Sequence, residues 1–223
     1  MFKSVLFYTN KLKPMKRFYA NVLRLDIIES TGDYFTVKVG ETAITFKQSD
    51  DPCFYHFAIN IPGNQFVIMK QWIEQRVNIV RSNGKSEIHY KNLGADSIYF
   101  EDIAGNLVEL IGRRNRDLFG SLTKEAFYDV SEVGITTPHM TEVGEELQDI
   151  GLPLRQRAEV HTDDMNYLGR DDTYVVLVPT GWKWEFSRKP AETHPLEITF
   201  TDGQQIAMDK QGQITISEVE TEE

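Results

Sequence analysis

The stretch YFEDIAGNLVELIG, Tyr99 to Gly112, places a carboxylate, Glu109, between Leu107 and Ile111. In an extended segment residues two apart share a face, so these three side chains point one way while Val108 and Leu110 point the other. A carboxylate on an apolar face is costly unless a metal, a cation, a hydrogen-bond donor or a substrate meets it. A second chemical candidate is His56, in FYHFAINI. Phe54, His56, Ala58 and Asn60 share one face, and Tyr55, Phe57, Ile59 and Ile61 the other. The second set reads as core. The first reads as a pocket wall carrying one imidazole, with Asn60 as a further contact for a bound molecule. An imidazole and a carboxylate together can move protons or hold a divalent cation.

Other groups read as structural. Glu132 and Glu185 stand at matching places in a later pair of segments, but Glu185 shares its face with Lys183, while Trp182, Trp184 and Phe186 take the opposite one. That is a solvated face with core behind it. His161, Asp163 and Asp164 in HTDDMN lack ligand spacing on a regular element and read as a polar loop. The single cysteine, Cys53, excludes an internal disulfide and a CxxC site. Nucleophile-elbow, zincin, P-loop and dinucleotide motifs are absent from the sequence.

Composition narrows the class. With 24 basic against 34 acidic residues and a net charge of −10, the surface repels phosphate backbones and anionic membranes. Nucleic acid and membrane are therefore not expected partners. The start has no apolar run long enough for a secretion signal, so a cytoplasmic location is expected. The 40% hydrophobic fraction and 13 Phe suit a chain with a sizeable core.

The elements that must position His56 and Glu109 recur. SVLFYT predicts a strand, and KLKPMKRFYANVL a helix with Leu12, Met15, Tyr19 and Val22 at helical spacing. Short strands follow around LDIIES, YFTVKV and TAITFKQ. A second cycle opens at YHFAINIP, with a helix in NQFVIMKQWIEQR and strands around NIVR, SEIHYK, DSIYFED and LVELIG. A third opens at SEVGITTP, with a helix in HMTEVGEELQDIG stopped by Gly151 and strands at PLRQRAEV, MNYLG, TYVVLVP and WKWEFS. A fourth, PLEITFTD, leads only to a hairpin. Aligned first strands match Ser4, His56 and Glu132. Aligned last strands match Thr45, Glu109 and Glu185, and one interval separates both His56 from Glu109 and Glu132 from Glu185.

The segments SVLFYTNKLKPMKRFYANVLRLDI, FYHFAINI and YFEDIAGNLVELI resemble the vicinal oxygen chelate superfamily. That group includes glyoxalase I, extradiol dioxygenases, and bleomycin and fosfomycin resistance proteins. The resemblance covers residues 1–113 and extends more weakly to about 200. It implies an α+β fold in which paired βαβββ modules form a cup-shaped mixed sheet, here with a degenerate third module and a partial fourth. It also implies ligand positions on the first and last strands of two modules, which map to Ser4, Thr45, His56 and Glu109.

The expected organisation is a two-module domain at 1–113, a linker at 114–127, a degenerate region at 128–217 that covers the cup or a sheet edge, and an acidic tail at 218–223. The resemblance implies one divalent metal, Fe, Mn, Zn, Ni or Co, held by His56 and Glu109. Ser4 and Thr45, hydroxyls at the first module's ligand positions, or waters would complete the coordination or contact the substrate. It implies catalysis on a small oxygenated metabolite by a lyase, isomerase or dioxygenase through an enolate-like anion. Without metal, Glu109 and His56 are candidates for general acid and base. The alternative is a metal-free protein that binds a drug or metabolite. A homodimer is one way to cover an open sheet edge.

Overall fold

A computed structural model describes residues 1–117 and 126–219. Residues 118–125 of the expected linker and 220–223 of the expected tail lie outside that description. The first module is β1 (Phe2–Thr9), α1 (Leu12–Arg17), β2 (Asp26–Ser30), β3 (Tyr34–Val39) and β4 (Thr42–Gln48). Helix α1 runs on as a wider turn to Val22 and buries Leu12, Met15, Phe18 and Tyr19. The second is β5 (His56–Pro62), α2 (Phe66–Glu74), β6 (Ile88–Tyr90), β7 (Ala95–Glu101) and β8 (Leu107–Arg113). The third is β9 (Asp129–Thr137), α3 (Met140–Asp149), β10 (Asn166–Arg170) and β11 (Thr173–Pro179). The fragment that follows, β12 (Leu196–Phe200), β13 (Gln204–Met208) and β14 (Ile214–Glu218), has no helix, as the sequence indicates.

These strands build two mixed sheets of seven, ordered β14-β13-β12-β1-β4-β3-β2 and β10-β11-β9-β5-β8-β7-β6. Within each module the first and last strands are parallel neighbours, β1 with β4 and β5 with β8. Modules join edge to edge by antiparallel pairing of first strands. Phe57 lies opposite Val133 and Ala58 opposite Glu132 across the β5–β9 seam. Leu6 lies opposite Glu197 across the β1–β12 seam.

That pairing corrects one expectation. The second module completes its sheet with the third, and the first with the fragment at the chain's end, so residues 1–113 do not close one cup. Modules one and two meet face to face instead. Phe7 stacks on Phe57 at 5.2 Å and lies 4.5 Å from Tyr55. Helical spacing and alternation say which strands exist, but not whose edge each will take. A second correction concerns WKWEFS, which is not the third module's last strand. That place belongs to β11, whose TYVVLV run is buried on both faces, as an inner strand requires. NIVR and PLRQRAEV contribute only isolated bridges, Ile79 with Phe100 and Leu154 with Leu168.

No described helix is long and apolar enough to cross a membrane. One core spans both sheets and takes in the apolar faces of α1, α2 and α3. The DIAGN turn before β8 is held by a buried carboxylate. Asp102 Oδ1 accepts backbone N–H groups of Ala104, Gly105 and Asn106 at 2.9–3.0 Å. Its Oδ2 accepts the Tyr19 hydroxyl at 2.9 Å and the Asn106 amide at 2.8 Å. Asn106 Oδ1 then accepts the Tyr55 N–H at 2.8 Å, which sets the start of β5. One side chain thus ties α1, the turn and the strand that carries His56. Replacing Asp102 by Ala orphans several buried donors and is expected to lower the unfolding free energy by about 2–4 kcal/mol in urea titrations. Asp163→Ala, in an exposed loop, should stay within about 0.5 kcal/mol of the native chain.

Candidate metal centre

Strand register assembles the centre around a small residue. Ala58 lies opposite Glu109 on one side and Glu132 on the other. His56, two residues earlier, shares the face of Ala58. His56, Glu109 and Glu132 each offer a donor atom, and these atoms lie within 4.8 Å of one another. They are the one such group of three among the described residues. Their exposures are 5%, 3% and 5%.

The imidazole is oriented and neutral. Its Nδ1 lies 3.1 Å from the Leu107 carbonyl, which can only accept, so Nδ1 carries the hydrogen. The Nε2 lone pair then faces Glu109 Oε2 at 3.7 Å. Burial pulls the His56 pKa down to about 4. Burial, and next the Glu132 charge, push Glu109 up to about 8. Burial also raises Glu132, against the pull of Arg113. Arg113 is itself buried, with Nη2 at 2.8 Å from Ser131 Oγ and 3.4 Å from Glu132 Oε1. Its Nε donates to Asn60 Oδ1 at 3.1 Å and lies 3.5 Å from Asp172 Oδ1.

The donor set suits a divalent cation. It combines one neutral imidazole and two carboxylates, and two acceptors face each other with only a proton or a cation to reconcile them. A carbonyl behind His56 and a guanidinium behind Glu132 are the outer partners such ligands use. Register also defines a fourth position. Glu109 lies opposite the residue two after His56, and the residue two after Glu132, Gly134, lies opposite Val176. Val176 is apolar and fully buried, so a bound ion would have three protein donors and room for another ligand.

The expected site residues divide. His56 and Glu109 come together as anticipated. Asn60 lies on the same strand, but its amide is engaged by Arg113 and by Asp129 Oδ1, the latter at 2.5 Å. Ser4 and Thr45 lie on the other sheet, where Thr45 Oγ1 meets Thr36 Oγ1 at 2.9 Å. Sequence reasoning aligned Glu132 with His56 and then set it aside, because it took Glu185 for its partner. Counting from TYVVLV instead reaches Val176 and keeps Glu132 with His56. Glu185 is exposed, as expected, and His161 and Asp163 lie in an exposed turn.

A family model described as toxoflavin-degrading enzyme matches residues 130–181. No curated protein matches. Among solved structures, a Bacillus subtilis protein named as a candidate dioxygenase superposes with a TM-score of 0.57 at 17% identity. The match covers 79% of this chain and 63% of that one, so the chain spans less than two thirds of its length. Lactoylglutathione lyase from Agrobacterium tumefaciens matches with a TM-score of 0.43 at 18% identity, over 52% of this chain and 95% of that one. Fosfomycin resistance protein FosX from Listeria monocytogenes gives 0.39 at 18%, over 56% and 93%. The order of the modules, their seams and the superposition on the Bacillus subtilis protein agree: the chain has the vicinal oxygen chelate fold of paired βαβββ modules in cup-shaped mixed sheets.

Proposed function

We propose that this chain is a metal-dependent enzyme of the vicinal oxygen chelate type, acting on a small oxygenated metabolite in the cup of the second and third modules. The observation that carries the reading is the convergence of the buried His56, Glu109 and Glu132 within 4.8 Å, with an apolar residue at the fourth position. The match of residues 130–181 to a family described as degrading toxoflavin supports a small-molecule substrate. A divalent metal bound there would supply Lewis-acid polarisation of a substrate oxygen. Leu107 fixes the tautomer of His56, and Arg113 favours the ionised form of Glu132. Trp184, 4.5 Å from the His56 ring, keeps bulk water from the donors. A carboxylate with a pKa near 8 can also take and return a proton near neutral pH.

A second reading, metal-free binding of a drug or metabolite, is favoured by one observation. Arg113 already lies 3.4 Å from Glu132 and supplies one cation to the pair without any ion. Metal content decides between the two. Near-stoichiometric Mn, Fe, Co, Ni or Zn is expected in protein purified without chelator. His56→Ala, Glu109→Ala and Glu132→Ala should each weaken binding about tenfold to a hundredfold or more, by analogy with the cost of losing even an outer-shell partner. Ser4→Ala, Thr45→Ala and Glu185→Ala should leave it unchanged. A native chain that takes up no metal on loading would establish the second reading.

The titration of the centre gives a further expectation. Without metal, native Glu109 keeps its proton to about pH 8, whereas the unfolded chain releases it near 4.5, so stability falls as pH rises through that window. His56 acts oppositely: its native value near 4 lies below the ordinary 6.5, so stability falls as pH drops through that range. Between 6.5 and 8 the Glu109 effect is no longer opposed by that of His56. Chelator-treated protein should therefore lose stability from pH 6.5 to 8 in urea titrations, and Glu109→Gln should flatten that decline. An unchanged slope in the variant would assign it to other groups.

A further inference from the structure

The three residues of the centre are only 3–5% exposed, so a cation needs a way in. One cavity beside the centre supplies it. It runs among Phe54, Thr136, Trp184, Glu192 and His194 and reaches His56. Its free space holds about one water at a time, which suits an ion that has shed most of its hydration shell and excludes an organic substrate. Gly134 keeps the inner end open. A Cβ there would come 3.1 Å from the His56 carbonyl oxygen and 3.6 Å from the Trp184 ring.

The outer end meets a basin on the surface. His194 and Met208 line both the cavity and the basin. Asp50, Asp51 and Asp209 stand exposed around the basin, with one lysine among them, Lys210, whose Nζ lies 3.4 Å from Asp51 Oδ2. Three carboxylates against one ammonium raise the local concentration of cations. Between basin and centre stand two groups of metal-ligand chemistry. His194 Nε2 is buried, outside any hydrogen bond, and faces Glu192 Oε2 at 3.4 Å. Burial lowers the His194 pKa against the pull of Glu192, so the ring is neutral and offers a lone pair. Side-chain exposure falls from 59% at Glu192 to 13% at His194 and 5% at His56, a graded descent from solvent to the centre.

Resting on the proposed reading of the site, we propose that this cavity is the passage by which a divalent cation reaches the centre, with Glu192 and His194 as transit ligands. A space about one water wide strips the ion of its waters, and that is costly unless other donors replace them. Glu192 and His194 replace them at the outer end, and His56 receives the ion at the inner end. The two ends repeat one arrangement, an imidazole Nε2 facing a carboxylate, at 3.4 Å outside and 3.7 Å inside. The inner end adds a third donor, Glu132, so the ion moves on to the larger donor set.

The test follows Co(II) uptake by the chelator-treated full chain in a stopped-flow instrument, through quenching of tryptophan fluorescence, with final occupancy from elemental analysis. His194→Leu and Glu192→Gln should each slow uptake about tenfold or more at unchanged final occupancy. Release to excess chelator should slow by the same factor, because a passage acts on both directions alike. Glu192 is exposed, so its variant keeps the test open if the His194 variant folds poorly. Asp50→Asn with Asp51→Asn should slow uptake at low salt and not at high salt. Glu142→Gln with Glu145→Gln, an equal change of charge on the exposed face of α3, should leave the rate unchanged. Full occupancy at the native rate in both transit-ligand variants overturns the passage and leaves the metal reading standing. Lost occupancy in those variants makes Glu192 and His194 resident ligands and also overturns it. No occupancy in the native chain overturns both readings.

Discussion

Two carboxylates buried side by side repel, and the third and second modules are joined at the place where that repulsion must be managed. Glu109 and Glu132 flank Ala58 because β5 lies between β8 and β9, and a larger residue at position 58 would crowd both acids. One buried guanidinium, Arg113, answers the charge from the end of β8. Asn60, Ser131 and Asp172 hold that guanidinium in turn. The imidazole contributes no charge of its own at neutral pH. A single cation between three acids, two of them raised in pKa, leaves the centre electrostatically short of positive charge, which a divalent ion would supply.

Much of this was legible in the residues. The period-two pattern around His56 and Glu109 identified the face, and helical spacing placed α1, α2 and α3. The turn chemistry of DIAGN was legible as a turn, although not the five contacts to Asp102 that make it a clasp. Edge pairing was not legible, because β1 and β5 both present apolar first strands that any module could satisfy. WKWEFS misled for a definite reason. Its alternation is real, since Trp184 and Phe186 are buried and Lys183 and Glu185 exposed. The apolar side simply packs as a loop onto the cup, without a neighbouring strand.

The two sheets are variations on one plan. Leu6 lies opposite Thr45 and Glu197, as Ala58 lies opposite Glu109 and Glu132. Ser4 corresponds to His56. The same register thus holds a His and two carboxylates on one sheet, and two hydroxyls and one carboxylate on the other. Both sheets need the same apolar outer faces to share one core, so the concave positions were free to diverge. Chemistry concentrated in the sheet whose cup is roofed by Trp184 and Phe186.

The β1–β12 seam has a consequence for how the molecule is made. β1 is a central strand of its sheet, yet one of its two neighbours, β12, is synthesised only after the second and third modules. Until then β1 presents an open row of backbone groups beside a finished β4, the arrangement most prone to pairing with another nascent chain. Closing so long a loop is slow as well as late. The same seam brings Met1 beside the end of β12, where the Thr201 N–H meets the Met1 carbonyl at 3.0 Å. A rearranged chain in which the β12–β13–β14 hairpins run directly into β1 would leave only β13 and β14 between β12 and β1, and would turn the slowest contact of assembly into a nearly local one.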